Sequence, residues 1–263
     1  MTVAEALRAT EARLADAGVD TPLVDAELLL AHVLGSSRSA VYTEREREVP
    51  GALEELVQRR ARREPLAYVL GEWGFRRLTL KTDARALVPR PETESVVERC
   101  LVLLHGERQP RVLDLGTGTG AIALAIADEH PGARVTAVDA SPDAAALARE
   151  NAERLGLDVL VRVSGIETAS EGWDLVVSNP PYVAEADWSS LQPEIREWEP
   201  RGALVGAGLH EEIAKHARTR HLVLEVGDGE GGEVAGMLRS LGYENVAVTP
   251  DLAGRERVVE GSR

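Results

Sequence analysis

The chain has little that could form a disulfide framework, a thiolate metal site or an aromatic core. Its 263 residues include one cysteine and one phenylalanine, and only 3% are aromatic. The single Cys100 excludes an internal disulfide, and its place in the apolar run from Val96 to Leu104 indicates a core thiol. Because 44% of the residues are nevertheless apolar, the core must consist of Leu, Val, Ala and Ile.

Signals for a membrane protein and for a metal enzyme are also missing. No apolar run approaches the ~20 residues of a spanning helix, and the first residues lack the basic and apolar pattern of a signal peptide. The six histidines show no HExxH spacing, and His210 and His216 lie too far apart for one helical face. We therefore expect a globular cytoplasmic protein that binds neither a membrane nor a metal.

The net charge of −14 is confined to one part of the chain. Residues 1–90 contain 14 basic and 14 acidic residues, so the whole acidic excess lies in residues 91–263. A strongly acidic surface repels phosphate backbones, which argues against direct nucleic-acid binding by this part. The same charge is compatible with a basic protein partner.

The first 70 residues show the periodicity of a small all-α domain. Apolar residues recur at helical spacing from Val3 to Ala17 and from Pro22 to Leu34, and residues 53–63 predict another amphipathic helix. Arg59, Arg60, Arg62 and Arg63 form the densest positive patch of the chain. We interpret the patch as a solvated helix face balanced by nearby glutamates, with partner docking as the alternative.

The remainder of the chain predicts a linker and an α/β domain. Short strand-like pieces separated by glycines occupy residues 71–90 and indicate a hairpin between the two domains. From residue 91 to residue 263 strands alternate regularly with helices, beginning with the strand Arg111–Leu115. This alternation predicts a doubly wound parallel sheet.

A glycine-rich loop follows that first strand, in Asp114-Leu115-Gly116-Thr117-Gly118-Thr119-Gly120. Glycines at alternate positions let the backbone turn sharply and approach a ligand, in a pattern unlike the G-x-G-x-x-G of dinucleotide loops. Asp139 ends the second strand, where a carboxylate can accept hydrogen bonds from both ribose hydroxyls. Asp114 would suit an ammonium group. These features indicate S-adenosylmethionine, which has a ribose, an amino-acid end and no phosphate.

A second loop, Asn179-Pro180-Pro181-Tyr182, follows the apolar strand at residues 173–177. Its two prolines stiffen the loop and remove two N–H donors. The side-chain oxygen of Asn179 and the carbonyl of Pro180 offer two acceptors at about the spacing of the hydrogens of an NH2 group. Tyr182 adds an aromatic face, so the corner suits a planar amine or amide beside a cationic electrophile. A proline-rich turn with a capping asparagine is the structural alternative.

Taken together, these segments resemble the bacterial release-factor glutamine methyltransferases. The likeness covers nearly the whole chain, and the Asn-Pro-Pro-Tyr corner is also shared with DNA adenine N6-methyltransferases. The stretch Pro89-Arg90-Pro91-Glu92-Thr93-Glu94 points to the protein-glutamine branch. The remaining motifs are Gly71-Glu72-Trp73-Gly74-Phe75, Leu87-Val88, the glycine-rich loop, residues 178–183 and Glu199-Pro200.

The resemblance implies a class I S-adenosylmethionine-dependent methyltransferase with a Rossmann-like, seven-stranded sheet. Its N-terminal helical domain, residues 1–70, would help to dock the substrate. That substrate would be the glutamine of the Gly-Gly-Gln tripeptide in peptide-chain release factors, methylated in support of translation termination. Separately, we expect the enzyme to be a monomer. Implied cofactor-binding residues are Gly116, Thr117, Gly118, Thr119, Gly120, Asp139 and Asn179. Implied substrate-binding residues are Asn179, Pro180, Pro181 and Tyr182, of which Asn179, Pro180 and Tyr182 would be catalytic.

Two alternatives stay open. One is a DNA adenine N6-methyltransferase that uses the same corner on a flipped base, against which the acidic charge argues. The other is a binding module that keeps the fold without turnover.

The chain departs from the family pattern in three places; the first favours the second alternative, and the other two concern loop packing and stability more than chemistry. Ser164-Gly165-Ile166-Glu167 stands where the family carries an acidic residue, and often an aromatic one, beside the adenine. Glu167 is the candidate substitute there. The turn Gly206-Ala207-Gly208-Leu209 is shorter than usual, and the segment from His210 to His221 lacks the usual glycine pair.

Overall fold

The computed structural model of the chain describes residues 1–206 and 208–263, so Ala207 in the shortened turn lies outside the described residues. The chain forms two compact units. One consists of Met1–Glu72 together with Gln192–Trp198, and the other of Trp73–Leu191 and Glu199–Arg263. Sequence analysis divides the chain linearly and does not anticipate that Gln192–Trp198 joins the N-terminal unit.

The N-terminal unit is helical. The first helix, α1 (Val3–Asp16), begins with a capping box, in which Thr2 and Glu5 each accept a hydrogen bond from the other's main-chain N–H. Helix α2 begins at Pro22 and ends before Gly35, which has the left-handed φ of 59° common after a helix. The helices are α1 (Val3–Asp16), α2 (Pro22–Leu34), α3 (Ala40–Thr43), α4 (Leu53–Ala61), α5 (Leu66–Leu70) and, later in the chain, α9 (Pro193–Trp198).

Buried ion pairs attach α9 to this unit. Arg60 is only 5% exposed; its Nε donates to Asp25 Oδ2 at 2.6 Å, and its Nη2 donates to Glu194 Oε1 at 2.8 Å. Arg63 donates to the same carboxylate, from Nε at 2.7 Å and from Nη2 at 2.6 Å. The interpretation of the arginine patch as a solvated face is therefore wrong for Arg60 and Arg63. Arg62 is exposed and agrees with that interpretation, whereas the Arg59 guanidinium pairs with the buried Glu64 and donates to the main-chain carbonyls of Tyr68 and Val69.

We expect Glu194→Gln to destabilise the helical unit strongly. Removing one partner of a buried pair leaves the other charges uncompensated, which costs about 3 kcal/mol or more of unfolding free energy. Thermal melting of the full chain measures the effect. Glu54→Gln makes the same chemical change in the exposed pair with Arg13 and should leave the melting temperature nearly unchanged. Equal shifts for the two variants would contradict the structural role of Glu194.

The second unit consists of a hairpin and a doubly wound sheet with its helices. The hairpin strands are β1 (Glu72–Phe75) and β2 (Leu78–Lys81). The sheet strands are β3 (Arg111–Leu115), β4 (Arg134–Asp139), β5 (Val159–Val163), β6 (Trp173–Ser178), β7 (Thr219–Glu225), β8 (Glu244–Pro250) and β9 (Glu256–Ser262). The helices are α6 (Glu94–Leu103), α7 (Ala121–Glu129), α8 (Pro142–Leu155), α10 (Leu209–His216) and α11 (Gly231–Ser240).

Among the described residues, the sheet has seven strands in the order β5-β4-β3-β6-β7-β9-β8. Strands β3 to β7 run parallel to one another, whereas β9 is antiparallel to both β7 and β8. The predicted seven-stranded, doubly wound sheet is thereby confirmed. The strand order reverses between β3 and β6, where Leu115 pairs with Ser178, and open α/β sheets bind their ligands at this point.

Apolar residues cover both faces of the sheet. Successive strand residues face opposite sides, so Val112 packs in a cluster with residues of α6 and α7, while Leu113 packs with residues of α10 and α11. Cys100 is a buried free thiol in the first cluster, as predicted. Within the described residues, no helix combines the length and apolar character that crossing a bilayer requires.

Candidate active site

A cavity of about 660 Å³ lies at the switch point of the sheet. Its size is typical of small-molecule sites, and its walls come from several loops at the carboxyl ends of the parallel strands. These are residues 115–119 at the end of β3, 139–141 at the end of β4, 164–166 after β5 and 178–181 at the end of β6, together with residues 85–90. The predicted glycine-rich loop and the Asn-Pro-Pro-Tyr corner thus meet in one cavity.

The glycine-rich loop has a backbone that requires glycine. Gly118 lines the cavity with a φ of 56°, a conformation that side-chain-bearing residues rarely adopt. Gly120 has a φ of 87°, and a Cβ atom there would lie 2.9 Å from Cδ1 of Leu124. Gly116, Thr117 and Thr119 also line the cavity, whereas Gly120 does not belong to the described lining. Gly120 therefore serves close packing against α7.

Asp139 lies at the end of β4 and lines the cavity. Its Oδ2 accepts a hydrogen bond from the main-chain N–H of Gly118, and its Oδ1 accepts one from Ser141, both at 2.9 Å. Each carboxylate oxygen retains a further lone pair. The main chain thus orients Asp139 while leaving it able to accept two hydroxyl hydrogen bonds.

Asp114 does not lie in the cavity as we expected. Its side chain is fully buried beneath the loop, where Oδ2 accepts hydrogen bonds from Thr117 Oγ1 at 2.6 Å and from the main-chain N–H of Ala123 at 3.1 Å. Burial raises the pKa of Asp114 to about 7. We conclude that this carboxyl supports the loop from below and does not bind an ammonium group directly.

The Asn-Pro-Pro-Tyr corner is attached to the neighbouring strand and to α6. Ser178 Oγ donates to the carbonyl oxygen of Leu115 at 2.6 Å, which fixes the start of the corner beside the glycine-rich loop. Nδ2 of Asn179 donates to Oγ1 of Thr93 at 3.4 Å. With Nδ2 engaged, Oδ1 is the acceptor that Asn179 can offer to a ligand. Asn179, Pro180 and Pro181 all line the cavity.

Tyr182 is placed differently from the other three residues of the corner. It does not belong to the described lining of the cavity. A Cβ atom on Gly227 would lie 3.4 Å from Cδ2 of Tyr182, so the ring packs against the main chain at that glycine. Burial, and then the nearby carboxyl of Glu225, raise the pKa of the Tyr182 hydroxyl. Contact between Tyr182 and a bound substrate stays a prediction.

Sequence analysis did not assign residues 85–90 to the site, although they form one wall of it. Arg85 is held by Asp83 and Glu150, with Nη1 donating to Glu150 Oε1 at 2.7 Å. Arg90 Nη2 donates to both carboxylate oxygens of Glu199, at 2.7 and 2.8 Å, and Glu199 is only 6% exposed. The two motifs that contain Arg90 and Glu199 were visible in the sequence, but nothing in their spacing indicated that they pair.

The segment after β5 contributes main chain and small side chains to the cavity. Ser164, Gly165 and Ile166 line it, whereas Glu167 does not belong to the described lining. The Glu167 carboxylate instead accepts hydrogen bonds from Ser164 Oγ at 2.8 Å and from the N–H of Gly165 at 2.9 Å. Glu167 therefore shapes the turn, and its candidate role beside the adenine stays a prediction.

The two buried carboxyls of this region should make stability fall as the pH rises. Desolvation raises the pKa of Asp114 and that of Glu225 to about 7 each. Between pH 4 and 7 the folded state therefore retains protons that the unfolded state has lost. The unfolding free energy should fall across this window by an amount on the order of a few kcal/mol. Melting temperatures between pH 5 and 8 measure the change.

Asp114→Asn is the matched variant for this pH dependence. It cannot titrate, so wild type should lose stability relative to the variant as the pH rises from 5 to 7, and the difference should level off above pH 7. Paired carboxylates such as Glu150 act in the opposite direction, because Arg85 and then Lys81 lower its pKa to about 2. Their contribution is lost only as the pH falls below about 4.5, outside the chosen window. Parallel pH profiles for wild type and variant would contradict the prediction for Asp114.

The described residues contain no group of three or more His, Cys, Asp or Glu side chains that could hold a metal ion.

Comparison with known families gives two matches. Residues 5–71 match the PrmC N-terminal domain, and residues 98–194 match the methyltransferase small domain.

Two curated proteins are similar to this chain over nearly their whole lengths. The release factor glutamine methyltransferase of Deinococcus radiodurans is 43% identical over 279 residues, which cover 100% of this chain and 99% of that protein. The protein of the same name from Vibrio cholerae is 41% identical over 281 residues, which cover 99% of this chain and 96% of that protein.

Solved methyltransferase structures share the fold at low identity. The catalytic domain of hMettl16 in complex with the MAT2A 3'UTR hairpin 6 gives a TM-score of 0.57 at 18% identity, covering 77% of this chain and 81% of that one. The T. thermophilus 16S rRNA methyltransferase RsmC gives a TM-score of 0.52 at 18% identity, and the match covers 73% of this chain and 49% of that one. These structural similarities are evidence for the fold alone.

Proposed function

This chain belongs to the release factor glutamine methyltransferase family, and from that premise we propose that it transfers the methyl group of S-adenosylmethionine to the side-chain amide nitrogen of a release-factor glutamine. The proposed acceptor is the glutamine of the Gly-Gly-Gln tripeptide. The observation that carries the proposal is the meeting of the glycine-rich loop and the Asn-Pro-Pro-Tyr corner in one cavity.

The cavity fits the proposed cofactor. The open main chain at Gly116 and Gly118 admits a ligand close to the backbone, and the oriented carboxylate of Asp139 suits the ribose hydroxyls. Ser164, Gly165 and Ile166 form a wall for the base. When bound, S-adenosylmethionine supplies an electrophilic methyl group on a sulfonium.

Asn179 and Pro180 act on the substrate amide. An amide nitrogen is a poor nucleophile because its lone pair is delocalised into the carbonyl. In our proposal, Oδ1 of Asn179 and the carbonyl of Pro180 accept its two N–H groups, which orients the nitrogen and favours the pyramidal form needed for transfer. No general base is required, because the amide becomes strongly acidic on methylation and its proton can pass to solvent.

We further propose that the helical domain of residues 1–70 helps to dock the release factor, and that the enzyme acts as a monomer in the cytoplasm. A protein partner agrees with the charge distribution, since the acidic excess of residues 91–263 disfavours direct contact with nucleic acid. Arg60 and Arg63 are engaged by Glu194, so docking cannot depend on these two side chains being free.

Transfer of labelled methyl groups tests the proposal. Purified release factor, the same factor with the Gly-Gly-Gln glutamine replaced by alanine, and duplex DNA are each incubated with the enzyme and labelled S-adenosylmethionine. Label on the native factor alone supports the proposal. Label on DNA would instead support the adenine methyltransferase. Absence of transfer together with absence of cofactor binding in calorimetry would support a silent binding module, whereas absence of transfer with the cofactor bound would point to another protein or small amide as the substrate.

A further inference from the structure

A fully buried asparagine on α8 lies behind the glycine-rich loop. Asn151 is 0% exposed and does not belong to the described lining of the cavity. Its Nδ2 donates to the main-chain carbonyl of Thr119 at 2.9 Å and to that of Lys81 at 3.1 Å. Its Oδ1 accepts from the main-chain N–H of Lys81 at 2.7 Å. The mechanism described above makes no use of this residue.

The three main-chain groups around Asn151 require a side-chain amide. A main-chain N–H can only donate and a carbonyl can only accept, so the position needs one acceptor and two donor hydrogens. Among side chains of this size, only that of asparagine supplies this set. An ionised aspartate would aim a second acceptor at two carbonyl oxygens. The main chain therefore determines both the identity and the orientation of the Asn151 amide.

Thr119 occupies the part of the loop where side chains restrict the main chain least. It lies between Gly118 and Gly120, which have left-handed φ values of 56° and 87°. Glycine populates positive and negative φ about equally, so sterics alone do not fix the peptide unit that joins Thr119 to Gly120. Hydrogen bonds hold both ends of this unit, because Asn151 binds its carbonyl and its N–H donates to the carbonyl of Thr117 at 2.9 Å.

Lys81 connects the same asparagine to the wall formed by residues 85–90. It ends β2, and the chain continues from it into that wall. Ala86 of the wall belongs to a small buried cluster with two residues of α8. A Cβ atom on Gly118 would lie 3.8 Å from Cβ of Ala86, so the wall lies against the glycine-rich loop. Asn151 therefore holds two neighbouring segments of the cavity against α8.

We propose that Asn151 is a positioning residue, which holds the glycine-rich loop in the conformation that binds S-adenosylmethionine. The inference rests on the proposed function, since it concerns the cofactor part of the same cavity. Asn151 acts only through the main chain of Thr119 and Lys81. When its amide is removed, the binding-competent conformation becomes a smaller fraction of the folded protein. The apparent dissociation constant of the cofactor then rises by the inverse of that fraction.

Asn151→Asp and Asn151→Ser test this role. Aspartate keeps the size of the side chain and the acceptor for Lys81, whereas serine removes the amide without adding a charge. Calorimetry should show a dissociation constant for S-adenosylmethionine about tenfold higher in each variant, the factor expected for one lost hydrogen bond to a buried group. At saturating cofactor kcat should stay close to that of wild type, because Asn179 and Pro180 are unchanged.

Hydrogen exchange of the full-length variants locates the effect. The N–H groups of Gly118 and Gly120 donate within the loop region, to Asp139 Oδ2 and to the carbonyl of Thr117. Both should exchange faster than in wild type by about tenfold or more, because the competent conformation is less populated. The amides of α2 in the helical unit should exchange as in wild type. A residue with a merely structural role would lower the melting temperature without this confined change.

Glu194→Gln is the control for stability, because we expect it to lower the melting temperature and Glu194 does not belong to the described lining of the cavity. Well below the melting temperatures, its cofactor affinity should equal that of wild type. An affinity loss of the same size in this control would assign the effect of the Asn151 variants to stability and overturn the inference.

Two other results would overturn the role of Asn151. One is wild-type cofactor affinity in a folded Asn151 variant, and the other is a kcat that stays low at saturating cofactor. If one of the two variants fails to fold, the other decides. Failure of the wild-type protein to bind S-adenosylmethionine would instead overturn the proposed function itself, so wild type is measured first.

Discussion

Asn179→Ala is expected to lower kcat about a hundredfold while changing the dissociation constant of S-adenosylmethionine only a few-fold, because misplacing a reacting group by about 1 Å can cost this much. Alanine removes the Oδ1 acceptor that orients the substrate nitrogen. The glycine-rich loop and Asp139, which line the proposed cofactor part of the cavity, keep their main-chain hydrogen bonds. Steady-state methyl transfer and calorimetry of cofactor binding measure the two quantities separately.

The matched variant for this experiment is Asn245→Ala, which removes the same side chain from β8, outside the described lining of the cavity. Because Asn245 has a φ of 51°, this variant also reports how a modest loss of stability affects turnover. Full turnover by Asn179→Ala would show that the side-chain amide of Asn179 does not bind the substrate. A loss of the same size in both variants would assign the effect to stability.

Asp139→Ala should have the opposite effect to Asn179→Ala: it should weaken cofactor binding and leave kcat nearly unchanged. Hydrogen bonds to charged groups contribute about 1.5–3 kcal/mol, so loss of the carboxylate should weaken cofactor binding by roughly ten- to a hundredfold. At saturating cofactor, kcat should stay close to that of wild type, because Asn179 and Pro180 are unchanged. Calorimetry gives the affinity, and kinetics at rising cofactor concentration show whether turnover recovers.

Asp143→Ala is the charge-matched control for Asp139. Asp143 is an exposed acid in the first turn of α8, only four residues further along the chain. Its removal changes the net charge equally without touching the described lining of the cavity. An unchanged affinity in Asp139→Ala, or an equal loss in both variants, would remove Asp139 from the cofactor site.

Most of the sheet could be predicted because its signals are local. Runs such as Arg111 to Leu115 and Leu175 to Val177 are short, rich in Val and Leu and followed by turn residues, so their strand character and their order along the chain were visible in the sequence. The general rule for open sheets then placed the loops after β3 and β6 at one edge. The juxtaposition of Gly118 with Asn179 followed from that rule.

The parts that could not be predicted depend on long-range contacts and on burial. Glu194 lies 134 residues from Arg60, and the six-residue helix α9 is too short for a periodic signal. Asp114 stood at a strand end, where we expected it to face the ligand. The N–H of Ala123 and the hydroxyl of Thr117 instead hold it under the loop. No sequence pattern reveals which of two acids at strand ends faces the cavity.

The discontinuous make-up of the helical unit determines how the protein can be divided or recombined. The chain crosses between the units after residues 72, 191 and 198. A fragment that ends at residue 72 would leave Arg60 and Arg63 without Glu194, and the complementary fragment would carry Gln192–Trp198 without the helices on which it packs. A chimaera between relatives must therefore exchange residues 1–72 and 192–198 together, as one cassette in two pieces.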